Sequence, residues 1–242
     1  MCGFSGFTLP NSIKNNREVL YRMMSPIAHR GPDESSIHVD DKIALGHYRL
    51  SIIDIKGGKQ PCIDQLSNNY LLFNGEIYGY KNNADFLRQN NIQLRDNSDT
   101  EVLFQSLIHF GVDKTIKMID GMFAFAFYDR KEKQLLLARD RYGIKPLYFS
   151  QQGSTFTFGS EQKAILARPD FRRVLDKPAL IEYFTFQNIF TDRTLLEDIR
   201  LLPSGHYGIL NVCDKQSTFR STQYWDYRFR EPDKSLSDHE YR

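Results

Sequence analysis

The sequence predicts an α+β fold in which antiparallel sheets carry packed helices. Three observations lead there. Strand-like runs are short, aromatic and divided by turn residues. A few segments of helical periodicity stand between them. The strand runs follow one another as hairpins and do not alternate with helices, which argues against a parallel βαβ sheet.

The elements follow in order. Residues 2–9, aromatic and punctuated by glycine, read as a strand beginning at the N-terminus itself. Helical spacing through Ile13, Val19, Leu20, Met23, Met24 and Ile27 predicts a helix over 12–28. The breaker HRGPD (29–33) stops it, since Gly31-Pro32 cannot continue a helix. Strands are expected at 36–40, 42–49 and 69–74, and helices at 83–90 and 99–110. Ser98 is a candidate N-cap, with Glu101 completing a capping box. A short helix over 113–119 leads to strands at 121–129, 134–140, 146–150 and 154–158. Helices return at 160–167 and 177–186, and strands near 206–212 and 217–225 close the pattern. The aromatics of 123, 125 and 127 alternate with small residues, as a core strand requires.

Composition narrows the function. With 32 basic and 30 acidic residues and a net charge of +2, the 242-residue chain lacks the basic bias of a nucleic-acid module. Its longest apolar stretch, Met122 to Tyr128, is too short to span a bilayer. MCGFSGFTLP has no basic n-region and no long apolar h-region, so no export signal is read there. Cys2, Cys62 and Cys213 show no metal spacing and are read as reduced thiols of a cytoplasmic protein. Six dispersed histidines form no metal motif. The charged loop RDRYGIKP (139–146) lacks phosphate-loop glycine spacing.

Cys2 is the first chemical candidate. Removal of Met1 would leave a thiol and an α-amine on one residue, so nucleophile and base come together without a histidine. Taken alone, a cysteine there is far more often just a small residue next to the start. Arg49, in GHYRLSI (46–52), sits at a strand end; such an arginine is ordinarily solvated, but its planar fork suits a carboxylate. Asn74-Gly75-Glu76 ends the strand of NYLLFNGEIY (69–78). Asn-Gly commonly makes a hairpin turn, yet an amide and a glycine N–H are also the donors of an oxyanion hole. Asp99 opens a helix, as a cap or, with Glu76, as the seat of a ligand ammonium. Cys62 reads as packed, and Cys213 as partly exposed with no role.

Taken together, Cys2-Gly3, HRGPDE (29–34), GHYRLSI, FNGEIY (73–78), SDTE (98–101), GMFAFAFYD (121–129), RDRYGIKPLYF (139–149), GSEQKAIL (159–166), LPSGHY (202–207) and Tyr224-Trp225 resemble the glutaminase half of the asparagine synthetase family, a class II glutamine amidotransferase domain. The resemblance covers 2–227 in the family's order. It implies an N-terminal nucleophile hydrolase fold, an αββα sandwich of two antiparallel sheets between helix layers. It places the nucleophile on Cys2 and the oxyanion donors on Asn74 and Gly75. Glutamine binding falls on Arg49, Leu50, Ser51, Ile52 and Ile53, with Arg49 facing the α-carboxylate, and on Asn74, Gly75, Glu76 and Asp99.

The implied activity is hydrolysis of L-glutamine to glutamate and ammonia, the ammonia passing to an ATP-activated aspartate. The implied partner is a C-terminal synthetase domain or a separate synthetase subunit, with no nucleic acid and no membrane; a homodimer stays open. No cofactor or metal is implied in this chain, since ATP and Mg belong to the synthetase domain. That domain carries an SGGxDS loop absent from these residues, and 228–242 read as a linker or its entry. Residues 183–207 also resemble relatives in polysaccharide biosynthesis, which leaves the acceptor open, as is a catalytically silent docking module.

Overall fold

The computed structural model describes residues 1–9, 15–54, 57–214 and 216–229. The start of the helix expected over 12–28 and the expected linker beyond 229 lie outside them. The chain enters through β1 (Gly3–Thr8), α1 (Asn16–Met24) and a 3-10 turn (Ser25–Arg30), then β2 (Glu34–Val39) and β3 (Ile43–Arg49). A two-residue β4 (Cys62–Ile63) precedes the long β5 (Tyr70–Tyr78) and the helices α2 (Tyr80–Gln89) and α3 (Asp99–Met118). The hairpins β6 (Asp120–Asp129) with β7 (Gln134–Arg139), and β8 (Tyr148–Gln152) with β9 (Thr155–Gly159), come next. The described elements end with α4 (Gln162–Leu166), α5 (Lys177–Phe186), β10 (Arg200–Leu201), β11 (His206–Asn211) and β12 (Arg220–Gln223).

Two six-stranded sheets result, in the orders β10-β8-β9-β1-β3-β2 and β12-β11-β7-β6-β5-β4. All their strand pairings are antiparallel. The layers follow from strand alternation. In β6 the side chains of Phe123, Phe125 and Phe127 pack with Phe104 and Leu107 of α3, while Ala124, Ala126 and Tyr128 face the core between the sheets. That central core joins Phe4, Leu45 and Phe158 of the first sheet to Leu72 and Leu137 of the second. On the outer face of the first sheet, Phe7 and Ala44 meet Leu20, Met23 and Met24 of α1. The architecture is therefore an αββα sandwich, as the resemblance implied.

Several expectations shift. The strand expected at 69–74 continues to Tyr78, because β6 pairs with it along its whole length, from Tyr70↔Tyr128 to Tyr78↔Asp120. The helices expected at 99–110 and 113–119 run on as α3, broken at Gly111, whose φ of 71° leaves the helical region. Ser98 caps α3 by accepting from the Glu101 N–H at 3.0 Å. The capping box does not close. Glu101 is held by Arg95 and Gln105, and the Ser98 N–H donates to Asp96 instead. A charge-assisted pair outcompetes the return bond of the box. The two-residue strands β4 and β10 were not expected; strands so short carry no period of their own and exist through their pairing.

Candidate active site

Cys2 lies at the mouth of a cleft where the two sheets meet, immediately before β1. Its thiol rests on the backbone of one residue: the Leu50 N–H donates to Sγ at 3.4 Å, and Sγ donates to the Leu50 carbonyl at 3.6 Å. Arg30 holds the other side, with Nε donating to the Cys2 carbonyl at 2.9 Å and Nη1 paired with Glu161 at 2.9 Å. Gly3 makes this approach possible, since a Cβ there would lie 2.8 Å from Arg30 Cδ.

Arg49 ends β3 as expected, but it is only 4% exposed. One guanidinium nitrogen pairs with Glu34 at 3.1 Å, and the other donates to the Asp54 carbonyl at 2.8 Å. The arginine is thus pre-oriented and not solvated. Leu50, Ile52 and Ile53 line the cleft beside it. Ser51 turns its N–H to Asp33 at 2.7 Å and is not among the lining residues.

The second sheet supplies the facing wall. Asn74-Gly75 lies inside β5, not in a hairpin turn, with Asn74 opposite Ala124 and Gly75 opposite Phe123. The direction of the backbone groups can be followed along the strand. The Phe73 N–H and C=O both engage the Gln60 side chain, at 2.6 and 3.0 Å. The Ile77 N–H donates to Asp99 at 3.1 Å. Both residues thus point away from β6. Gly75 is midway between them, and alternation along the strand sends its N–H to the same side. Opposite it, the N–H and C=O of Phe123 are taken by Asp140 on the far side of β6. The Asn74 side-chain NH2 is buried and has no hydrogen-bond partner. Two donors therefore face the cleft uncommitted, a state that costs about 1–3 kcal/mol for a buried amide.

Asp99 opens α3 and stands in the same cleft with Glu76. Burial, with a smaller push from the Glu76 charge, raises its pKa to about 6, against the hydrogen bonds from the Ile77 and Thr100 N–H groups. Two like-charged carboxyl groups in one cleft favour a positively charged occupant. The other thiols are unlike Cys2. Cys62 is buried, and burial pushes its pKa up to about 12, whereas Cys213 is exposed and lies apart from the cleft.

Three participants were not singled out from the sequence: Gln60, Glu34 and Lys145. Gln60 stood beside a cysteine judged to be packed. Glu34 belongs to the HRGPDE motif but had no assigned task. Lys145 lies in the loop set aside for want of phosphate-loop glycines, yet it lines the cleft. His47 is also committed to the strand wall. Its Nε2 lies 3.2 Å from the Phe73 carbonyl, and burial lowers its pKa to about 4. Among the described residues no group of three or more His, Cys, Asp or Glu is placed to hold a metal ion.

An αββα sandwich with a cysteine leading the first strand of one sheet, facing free donors on the other, is the architecture of the N-terminal nucleophile amidotransferases. The chain belongs to the glutamine amidotransferase domain family, whose model matches residues 1–225. It is 38% identical to asparagine synthetase [glutamine-hydrolyzing] 3 of Bacillus subtilis (strain 168) over 187 residues, 76% of this chain and 30% of that protein. Asparagine synthetase [glutamine-hydrolyzing] 1 of the same organism is 34% identical over 209 residues, 85% of this chain and 33% of that one. Amidase chry2 of Gibberella zeae is 32% identical over 256 residues, covering 98% and 36%. The chain thus spans about a third of the length of these relatives. The same fold is seen in the solved glutamine phosphoribosylpyrophosphate amidotransferase of B. subtilis, with a TM-score of 0.67 at 18% identity over 93% of this chain and 49% of that one.

Proposed function

We propose that this chain hydrolyses free L-glutamine through a thioester on Cys2. The observation that carries the reading is the pair of uncommitted donors, the Asn74 amide and the Gly75 N–H, aimed into a cleft that also holds Cys2, Arg49 and Asp99. Arg49 takes the glutamine α-carboxylate, and Asp99 with Glu76 takes the ammonium. Once Met1 is removed, the α-amine of Cys2, ordinarily titrating near 8, accepts the thiol proton. Sulfur then attacks the side-chain carboxamide, and Asn74 and Gly75 stabilise the oxyanion. The α-ammonium returns its proton to the leaving nitrogen, the C–N bond breaks and ammonia departs. Water, deprotonated by the same amine, cleaves the thioester to glutamate and restores the thiol.

In the longer protein that the relatives suggest, the ammonia goes to an aspartate activated by ATP in a synthetase domain or subunit. ATP and Mg bind there, and no step above depends on them. Among the described residues no helix is long and apolar enough to cross a membrane. The three free thiols suit the cytoplasm.

The test is direct. The isolated, Met1-processed chain is incubated with glutamine, asparagine and N-acyl amides, with Cys2→Ala as control. Equal amounts of glutamate and ammonia from glutamine alone are expected, and none from the variant. Turnover of another amide in preference to glutamine, or no turnover by processed protein, would overturn the reading.

A further inference from the structure

We propose that Lys145 is a positioning residue for the base: its buried ammonium holds the α-amine of processed Cys2 in the neutral form that can accept a proton. Lys145 is 5% exposed. It lies in the β7–β8 loop, and its backbone is fixed from both sides. Asp140 accepts from the Lys145 N–H at 3.0 Å and from the Tyr142 and Ile144 N–H groups, while Arg139 Nε donates to the Lys145 carbonyl at 2.8 Å. The head group is therefore directed, and it is directed at the N-terminus: Nζ donates to Met1 Sδ at 3.1 Å. A thioether is a weak acceptor for an ammonium. Loss of Met1 removes it, while the ammonium stays in the cleft that Cys2 lines and acts on Cys2 electrostatically.

The charged groups around Lys145 are Arg30, Asp140, Cys2 and Glu76. Burial and then Arg30 lower its pKa, while Asp140, Cys2 and Glu76 oppose the fall. Asp140 is saturated by backbone N–H groups, so it is committed to the loop. Arg30 already touches the Cys2 carbonyl. A processed α-ammonium would be a third cation in this corner. Like charges disfavour the protonated amine. The residue that makes the amine a working base is thus outside the nucleophile and its donors.

The experiment uses the processed chain, wild type and Lys145→Met, Lys145→Gln and Lys145→Arg, with circular dichroism as the folding control. Cysteine labelled with 13C and 15N reports the titration of the Cys2 α-amine by NMR, without glutamine. The expected wild-type midpoint lies below the ordinary ~7.7–8.0. Either neutral variant raises it by about one unit, and Lys145→Arg restores it. The acid limb of kcat/KM follows the same order, so the neutral variants lose more activity at pH 6.5 than at pH 9. An unmoved amine midpoint in both neutral variants would overturn the proposal and leave Lys145 as packing. Only the kinetic arm rests on the glutaminase reading: a shifted amine in a chain inert toward glutamine refutes that reading alone, and a glutaminase with an unshifted amine refutes this one alone.

Discussion

The Asp99 carboxyl is buried at the head of α3 with Glu76 as a like-charged neighbour, and its pKa rises from the ordinary 3.8 to about 6. A carboxyl raised on folding stabilises the fold only while protonated. That contribution is present below the unfolded value and is lost as pH rises through about 6. By pH 8 the empty site therefore carries about 2–3 kcal/mol of strain from this charge. Asp99→Asn should melt higher than wild type at pH 8 and equally at pH 4, while raising KM for glutamine by more than about thirtyfold. A lower melting temperature at pH 8, read by calorimetry, would show that the ionised carboxylate is not held at a cost. Asn74 makes a similar trade. Asn74→Ala removes a buried donor without a partner, so stability should hold or rise by up to about 1–3 kcal/mol. Its kcat should fall about a hundredfold or more with KM little changed. Steady-state kinetics beside thermal melting separates this outcome from simple unfolding.

At the scale of elements, β5 does the positioning. Its N–H groups at Phe73 and Ile77 are taken by Gln60 and Asp99, and the intervening Gly75 is left to the cleft. Gly75 must also let β6 pass closely: a Cβ there would lie 2.7 Å from Phe123 Cα and collide with the Met122 carbonyl. Gly75→Ala should thus push β5 from β6, costing about 1–3 kcal/mol and nearly all turnover; a urea midpoint and a glutaminase assay report both. Retention of wild-type kcat would show that the N–H of residue 75 has no part in the oxyanion contact. This strand also shows where sequence reading stops. β6 was legible because the alternation of Phe with Ala is visible along its own residues. Asn-Gly was not, since locally it fits a two-residue turn, and only nine cross-strand pairings make it mid-strand. Cys2, Arg49 and Asp99 were legible as types at motif positions. Gln60 and Lys145 acquire their places only when loops remote in sequence fold onto the cleft.

Over the whole molecule, the cleft is a seam. Cys2 and Arg49 belong to one sheet, Asn74 and Gly75 to the other, and the shared core of Phe4, Leu45, Leu72 and Phe158 sets their separation. Leu72→Ala should cost about 2–5 kcal/mol in urea unfolding. Activity and near-ultraviolet dichroism should disappear together, since no subset of strands retains the site. Activity lost well before the dichroism would mean that the sheets part locally. The seam has a further consequence. A small molecule gripped at its carboxylate from β3 and at its amide from β5 acts as a strut between two layers, and it binds only when both are in place. Saturating ligand, or a glutamine-like electrophile fixed to Cys2, should slow amide hydrogen exchange in β3 and β5 by a common factor. Peripheral amides of β12, at the far edge of the second sheet, would exchange as before.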